Sequence, residues 1–267
     1  MYRQYYGFRS IPFKKDIKSD ELLFHESLLS FQKKMDFLKK HGGIGVVWGN
    51  SGTGKSAGLR HFRDSLNKSR FRFYYVSYPP SSVTDFYREL ALAMELRPLF
   101  RRADLFHQIQ EHILEMSCNK HITPVIALDE AQNYHHTVLE CLRMFLNFDI
   151  DSKDHAILLL SGQPELRKRL RFAVYEPLIQ RITVQHQFEG LDRESVEKYI
   201  QHRLGTAGVK HQLFEKSAIQ FIYQVTKGNM RKINNLAVKS MILGTEENKK
   251  SINKKIVEIA CQDFFWS

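Results

Sequence analysis

A glycine-rich segment near the start of the chain has residue types that bind phosphate. It fills every fixed position of the pattern G-x-x-x-x-G-K-[ST], in the order Gly49, Asn50, Ser51, Gly52, Thr53, Gly54, Lys55 and Ser56. Such glycines let backbone N–H groups turn toward an anion at the start of a helix. Lys55 is expected to contact the β- and γ-phosphates of a triphosphate, and the Ser56 hydroxyl to ligate Mg²⁺. A chance glycine-rich turn is the alternative, which the complete match disfavours.

Two acidic residues, Asp129 and Glu130, directly follow an apolar run at 124–128. At the carboxyl end of a strand beside the phosphate loop, Asp129 would hold Mg²⁺ through its water shell and Glu130 would polarise the attacking water. Two acids can also cap a helix. Because a phosphate loop precedes them in the same predicted sheet, the catalytic interpretation is favoured.

Three further polar residues are candidates for the same chemistry. Gln163 follows an apolar run at 157–160 and is placed to orient the water, although a plain turn explains it equally well. Arg181 precedes the last predicted strand and could project into a neighbouring subunit's nucleotide, whereas Arg231 opens a helix near the carboxyl end. Either arginine is equally compatible with a surface ion pair.

The elements that must position these residues follow from hydrophobic periodicity. Short apolar runs alternate with amphipathic stretches, which predicts an α/β core with a mostly parallel sheet. We place its strands near 44–48, 71–78, 124–128, 156–161 and 181–187. The alternating aromatic residues at 71, 73 and 75 are expected to be buried in the sheet rather than to stack on bases.

A change of periodicity near residue 190 predicts two further regions around that core. Beyond it, helical spacing without strands covers 193–204, 215–226, 231–243 and 252–265. The expected division is an aromatic arm and a helix (22–38) in residues 1–40, packed on the core; a phosphate-loop core in 41–190; and a small helical lid domain in 191–267.

Composition limits the classes of function. The 267 residues carry a formal net charge of +11, which favours a polyanionic partner such as nucleic acid or an acidic membrane face. No apolar run approaches the roughly 18–20 residues that span a bilayer, and the first residues show no export signal. The three cysteines are scattered, as expected of reduced thiols. A cytoplasmic protein without membrane insertion is the expectation.

The order of these motifs resembles that of an AAA+ ATPase, and several stretches are similar to the ExeA-like (general secretion A) ATPases. These stretches are Tyr6 to Phe8 with Pro12 and Phe13, the phosphate loop, Leu128 to Gln132, Ser161 to Leu166, Tyr199 to Leu204 with Ala207 and Gly208, and Gly228 to Leu236. The resemblance implies ATP and Mg²⁺ as cofactors, with hydrolysis to ADP and phosphate. By the same resemblance Gln163 would be sensor 1, Arg181 the arginine finger and Arg231 sensor 2.

A secretion-type member would continue into a membrane helix and a periplasmic domain, and this sequence has neither. In that respect the chain is similar to the transposition ATPases of the TnsC, TniB, IstB and Mu B group. That resemblance implies a bacterial homo-oligomer, a ring or a helical filament, which assembles on duplex DNA and recruits or regulates a transposase. The alternatives are the cytosolic ATPase of a secretion or envelope-assembly system that acts through a membrane partner, and a nucleotide-gated scaffold with negligible turnover.

Three basic clusters are candidates for sequence-neutral DNA contact. The preferred one contains Arg97, Arg101 and Arg102, between the phosphate loop and the acidic pair. The others lie at 167–171 and 249–255. Phosphate contacts from lysine and arginine would bind DNA with a strong salt dependence. A solvated face of a helix is the more common explanation of any one such cluster.

Overall fold

A five-stranded parallel sheet forms the centre of the α/β part of the chain. The structure is a computed structural model that describes residues 2–148 and 154–262. The strands are β1 (Gly43–Gly49), β2 (Phe71–Val76), β3 (Thr123–Leu128), β4 (Ile157–Gly162) and β5 (Ile182–Phe188). They pair in the order β2-β3-β4-β1-β5, and every pairing is parallel. The predicted parallel sheet is confirmed, with β4 between the strand of the phosphate loop and the strand of the acidic pair.

Helices connect these strands and continue beyond them. In chain order they are α1 (Tyr2–Tyr5), α2 (Glu26–His41), α3 (Lys55–Ser65), α4 (Val83–Ala93), α5 (Arg102–Leu114), α6 (His136–Phe145), α7 (Pro164–Leu170), α8 (Glu176–Ile179), α9 (Arg193–Thr206), α10 (Lys216–Thr226), α11 (Met230–Glu246) and α12 (Lys254–Gln262). The predicted helix at 22–38 begins later, at Glu26, because a short 3₁₀ turn at Ser19–Glu21 and extended backbone at Leu22 precede it.

Burial differs between the central and the edge strands. In β3 the run from Val125 to Leu128 is fully buried, as expected of a parallel strand covered on both faces. The edge strand β2 buries Tyr74 and Val76 only, and Tyr75 is 46% exposed. The expected burial was therefore wrong for Tyr75, whereas Phe71 and Phe73 are half-buried, because an edge strand has only one fully covered face.

The chain divides into two units. The α/β unit contains Ser27–Asn50 and Lys55–Phe188, and the helical unit contains Met1–Glu26, Ser51–Gly54 and Glu189–Ser267. The expected joint near residue 190 lies close to the observed one. The aromatic arm differs from expectation, because it belongs to the helical unit rather than to the core.

The arm belongs there because its aromatic rings complete the apolar interior of the helical unit. Tyr6, Phe8 and Phe13 are buried in the same cluster as residues of α9 to α12. The buried Arg203 donates a hydrogen bond from Nη2 to the Lys14 carbonyl over 2.5 Å and lies 5.9 Å from the Phe13 ring. Folding the arm into these helices hides three aromatic side chains that would otherwise face water.

The helical unit contains the predicted helices, with one prediction cut short. Asp192 caps α9 by accepting a hydrogen bond from the Ser195 N–H over 2.8 Å. The helix predicted at 252–265 corresponds to α12, and its last residues lie outside the described part of the chain. Among the described residues, no helix is both long and apolar enough to cross a membrane.

Candidate nucleotide site

The glycine-rich segment forms a tight loop between β1 and α3. Gly52 and Gly54 have φ angles of +85° and +97°, which lie in the left-handed region that favours glycine. A Cβ added to Gly52 would lie 2.4 Å from the Asn229 side-chain oxygen, so no larger residue has room there. Helix α3 begins at Lys55, immediately after the loop. The loop therefore presents backbone N–H groups at a helix start, the arrangement that binds phosphate.

The lysine of the motif lies inside this loop. Its ammonium group donates to the carbonyl oxygens of Gly49 and Asn50 over 2.5 and 3.0 Å. Lys55 is only 8% exposed, whereas Ser56 in the first turn of α3 is exposed. The charge of Lys55 is thus held at the loop, and the hydroxyl of Ser56 is accessible.

The acidic pair follows β3 at the same edge of the sheet. Asp129 is 9% exposed, and its backbone N–H donates to the Val76 carbonyl, which continues the pairing with β2. One carboxylate oxygen, Oδ1, accepts from the Glu130 N–H over 2.9 Å, and the other, Oδ2, accepts from the Tyr75 hydroxyl over 2.6 Å. Burial, together with the bond to Asp129, raises the pKa of Tyr75. The hydroxyl therefore stays protonated and remains a donor.

Glu130 has a constrained backbone and a constrained side chain. Its φ and ψ of 50° and 36° lie in the left-handed region, a conformation that costs a non-glycine residue of the order of 1 kcal/mol. Its Oε2 accepts hydrogen bonds from Gln132 Nε2 over 2.6 Å and from Gln163 Nε2 over 3.4 Å. Two amides thus converge on one oxygen of the carboxylate. Backbone strain of this kind is concentrated at functional sites.

Two of these contacts were missed by sequence reasoning. The aromatic alternation of β2 predicts sheet packing for Tyr75. Nothing in that alternation indicates that the Tyr75 hydroxyl contacts the Asp129 carboxylate. Gln132 ends the stretch from Leu128 to Gln132 that resembles the ExeA-like family, and that resemblance gave it no role of its own. Its position two residues after Glu130, in a turn at a strand end, is the signal that indicates it.

The tip of the phosphate loop groups with the helical unit, where α11 begins. Asn229 caps that helix by accepting from the Lys232 N–H over 3.1 Å, and its Nδ2 donates to the Ser51 carbonyl over 2.6 Å. Arg231 donates from Nη1 to Ser51 Oγ over 2.7 Å and from its backbone N–H to the Gly52 carbonyl over 3.3 Å. The guanidinium of Arg231 therefore lies at the phosphate loop. Asn229 is a further contact that sequence reasoning missed.

Arg181 lies just before β5, at the amino ends of the strands and therefore at the end of the sheet opposite the phosphate loop. Its carbonyl accepts a hydrogen bond from the Ile44 N–H at the start of β1, and its Nη1 donates to the Leu146 carbonyl over 3.4 Å. The phosphate loop follows the other end of β1, about 20 Å away at roughly 3.3 Å per residue. Within the α/β unit, Arg181 is therefore remote from the loop that its own chain supplies.

The residues present suit Mg²⁺ together with a nucleotide. Ser56 offers an accessible hydroxyl, and Asp129 offers a carboxylate at the carboxyl end of β3. In the described residues no cluster of three His, Cys, Asp or Glu side chains could hold a metal by itself. Mg²⁺ is usually held by one or two protein oxygens with phosphate oxygens and water completing its shell. Ser56 and Asp129 are the residues that would hold it.

The three basic clusters differ in how far the protein itself uses their charges. Arg97, Arg101 and Arg102 are exposed, and no described carboxylate forms an ion pair with them. In the second cluster, Arg169 Nη1 donates a hydrogen bond to the Tyr134 carbonyl oxygen over 2.8 Å. The guanidinium of Arg167 lies over the Trp48 ring.

The third cluster is also partly committed. Lys254 forms an ion pair with Glu258 over 3.3 Å and lies 5.8 Å from the Phe221 ring. Its neighbours Lys249, Lys250 and Lys255 are exposed. The first cluster is therefore the one whose three arginines all remain available for a partner.

The central region of the chain matches a known protein family. Residues 38–170 match the family model described as an AAA domain. The chain is 29% identical over 247 residues to General secretion pathway protein A of Aeromonas hydrophila, an alignment that covers 91% of this chain and 44% of that protein. The chain therefore spans less than half the length of that relative.

The fold is also similar to that of solved structures. Cdc6p from Pyrobaculum aerophilum matches with a TM-score of 0.67 at 14% identity, over 98% of this chain and 70% of that one. The ORC1 protein of Aeropyrum pernix in complex with DNA gives a TM-score of 0.67 at 14% identity, over 94% of this chain and 68% of that one. Identities this low show a common fold alone. Residues 38–170 thus match an AAA domain model, and the parallel sheet with its phosphate loop has the AAA+ fold.

Proposed function

We propose that this protein hydrolyses ATP to ADP and phosphate at the site formed by the phosphate loop and the acidic pair. The observation that carries the proposal is the carboxylate of Glu130, which two amides hold at the end of β3. A carboxylate fixed in this way can accept a proton from an attacking water. Lys55 and the loop N–H groups bind the phosphates. When bound, Mg²⁺ would neutralise part of the phosphate charge.

The other polar residues have distinct roles in this proposal. Gln163, which faces Glu130, orients the attacking water. Arg231 at the phosphate loop responds to the state of the bound nucleotide. Arg181 lies too far from its own loop to contact that nucleotide, which supports a role as the arginine finger of a neighbouring subunit in a homo-oligomeric ring or filament.

We further propose that the oligomer binds duplex DNA without sequence preference, in the cytoplasm where ATP is available. The cluster of Arg97, Arg101 and Arg102 supports this, because its charges are not used within the described chain. The net charge of +11 favours a polyanion. The similar fold of the ORC1 protein of Aeropyrum pernix, solved in complex with DNA, gives independent support.

An exposed aromatic residue lies within the same cluster. Phe100 is 91% exposed in the connection between α4 and α5. Two hydrogen bonds hold the first half of this connection: Leu96 N–H donates to the Ala91 carbonyl, and Gln108 Nε2 donates to the Arg97 carbonyl, each over 2.9 Å. An exposed aromatic ring between arginines suits a nucleic acid surface, since the ring can pack on sugars or bases while the cations contact phosphates.

Fluorescence anisotropy on a random-sequence duplex tests the DNA proposal. With Glu130→Gln protein, which retains ATP, we expect tight binding that requires ATP and weakens steeply with salt. Replacing Arg97, Arg101 and Arg102 by glutamine should lower the salt slope by about one for each lost phosphate contact. The matched control replaces three exposed lysines outside the basic clusters, which changes the net charge equally: Lys68, Lys198 and Lys216. No ATP-dependent binding near physiological salt would contradict the proposal.

A second candidate function is supported by the sequence comparison. The similarity to General secretion pathway protein A favours an ATPase of a secretion or envelope-assembly system that acts through a membrane partner. It favours that role over the recruitment of a transposase, which only the resemblance to transposition ATPases implies. Stable co-purification with an inner-membrane protein, together with indifference to DNA, would establish the second candidate.

A further inference from the structure

A glutamine just after the acidic pair connects the two polar strand ends of the site. Gln132 lies in the short turn Ala131–Asn133 that follows the acidic pair. Its Nε2 donates to Glu130 Oε2 over 2.6 Å, and its Oε1 accepts from the Gln163 backbone N–H over 2.9 Å. One side chain therefore spans from the end of β3 to the end of β4.

The orientation of this amide follows from its partners. A backbone N–H can only donate, so the group facing Gln163 must be the carbonyl oxygen of the amide. An ionised carboxylate can only accept, so the group facing Glu130 must be the NH₂. Both partners require the same orientation of Gln132. A reversed amide would lose both hydrogen bonds.

The turn that carries Gln132 is itself anchored. Arg169 Nη1 on α7 donates to the carbonyl oxygens of Gln132 and Tyr134, the latter over 2.8 Å. On the other side, a Cβ at Gly162 would lie 2.6 Å from Gln132 Oε1, so a larger residue at this position would displace the amide. The side chain is confined between the two strand ends rather than free on a surface.

We propose that Gln132 is a positioning residue for the carboxylate of Glu130, an inference that rests on the proposed hydrolysis. Gln132 and Gln163 each donate one hydrogen bond from Nε2 to Glu130 Oε2, and Oε1 accepts no hydrogen bond from the described residues. In this proposal Oε1 is therefore the oxygen that takes the proton of the attacking water. Gln132 also holds the backbone of Gln163. One side chain therefore positions both Glu130, the proposed general base, and Gln163, the candidate sensor.

Two substitutions of similar size separate this role from simple support of the turn. Gln132→Glu keeps an oxygen for the Gln163 N–H but removes the donor to Glu130 and places a like charge beside it. Gln132→Met removes both hydrogen bonds. For Gln132→Glu we expect kcat to fall about tenfold or more, since a hydrogen bond to a charged group is lost. The KM for ATP, the nucleotide Kd and the melting temperature should stay near the wild-type values.

Asn133→Asp is the matched control, because it adds the same charge to an exposed position of the same turn. Its kcat should be unchanged. Wild-type kcat in Gln132→Glu, with loss of activity only in Gln132→Met, would assign Gln132 to support of β4 and overturn the proposal. Equal losses in Gln132→Glu and Asn133→Asp would assign the effect to charge alone. If the unmodified protein shows no hydrolysis, the proposed function fails instead, so the two failures are distinct.

Discussion

The Tyr75 hydroxyl, on the edge strand β2, donates a 2.6 Å hydrogen bond to Oδ2 of Asp129, the carboxylate expected to hold Mg²⁺. The same carboxylate accepts from the backbone N–H of Glu130 through Oδ1. Asp129 is therefore oriented from both sides, by a side chain of a neighbouring strand and by the residue that follows it. A metal ligand held in one orientation loses less freedom when the ion binds.

We expect Tyr75→Phe to raise the Mg²⁺ concentration needed for half-maximal hydrolysis several-fold. The reason is the lost hydrogen bond to a carboxylate, which contributes about 1.5 kcal/mol at a partly exposed site. A Mg²⁺ titration of phosphate release at saturating ATP measures it, and ATP binding without Mg²⁺ should not change. Tyr78→Phe is the control, since Tyr78 is 69% exposed beyond the end of the same strand. An identical Mg²⁺ requirement in all three proteins would contradict the role of Tyr75.

Gly162→Ala should lower kcat, because the new methyl group would lie 2.6 Å from Gln132 Oε1 and 3.0 Å from Leu166 Cδ2. Overpacking of this kind also costs about 1–3 kcal/mol of folding free energy. Steady-state kinetics with thermal unfolding measure both effects. Gly205→Ala, where nothing lies within 4 Å of the added Cβ, is the control and should leave kcat unaltered. Full activity in Gly162→Ala would show that Gln132 moves without consequence.

Arg181→Ala should retain ATP binding and lose turnover if the arginine acts on a neighbouring subunit. A mixing experiment tests this directly. Lys55→Ala protein has a defective phosphate loop but an intact Arg181, and Arg181→Ala protein has the reverse. Turnover should return when the two inactive proteins are mixed, because each supplies what the other lacks. A mixture that stays as inactive as its components would contradict action between subunits.

Arg203→Met should destabilise the helical unit and release the aromatic arm. Arg203 is 6% exposed, donates to the Lys14 carbonyl and lies 5.9 Å from the rings of Phe13 and Tyr199. Loss of a buried hydrogen bond from a charged donor costs about 1.5–3 kcal/mol. Denaturant unfolding and limited proteolysis of the arm measure the effect. Arg193→Met, at an exposed position of the same helix, should change stability by about 0.5 kcal/mol or less.

Local pattern was sufficient to predict the sheet and the ends of its strands. The apolar runs of β1, β3 and β4 are short and end in polar residues, so their carboxyl ends located the phosphate loop, Asp129, Glu130 and Gln163. Parallel strands place all these ends at one edge. The position of these residues at the carboxyl ends of the strands could therefore be predicted from spacing alone, and their chemical roles stay a prediction.

What the sequence could not predict depends on contacts between distant segments. The hydroxyl of Tyr75 matters only because β2 lies beside β3, and the contact of Asn229 with Ser51 joins residues that are far apart in the chain. Burial of the aromatic arm in the helical unit, with Arg203 on Lys14, has no periodic signature either. Such pairings follow from tertiary packing, which local periodicity does not encode.

The most direct test of the ATPase assignment is phosphate release by three purified proteins, with nucleotide binding measured on the same samples. The unmodified protein should bind and hydrolyse ATP with Mg²⁺. Lys55→Ala should bind weakly and hydrolyse nothing. Glu130→Gln should bind as the unmodified protein does and lose about 100-fold or more in kcat, the contribution expected of a general base. Turnover by Glu130→Gln at the unmodified rate would contradict the assignment of Glu130 and with it the proposed mechanism.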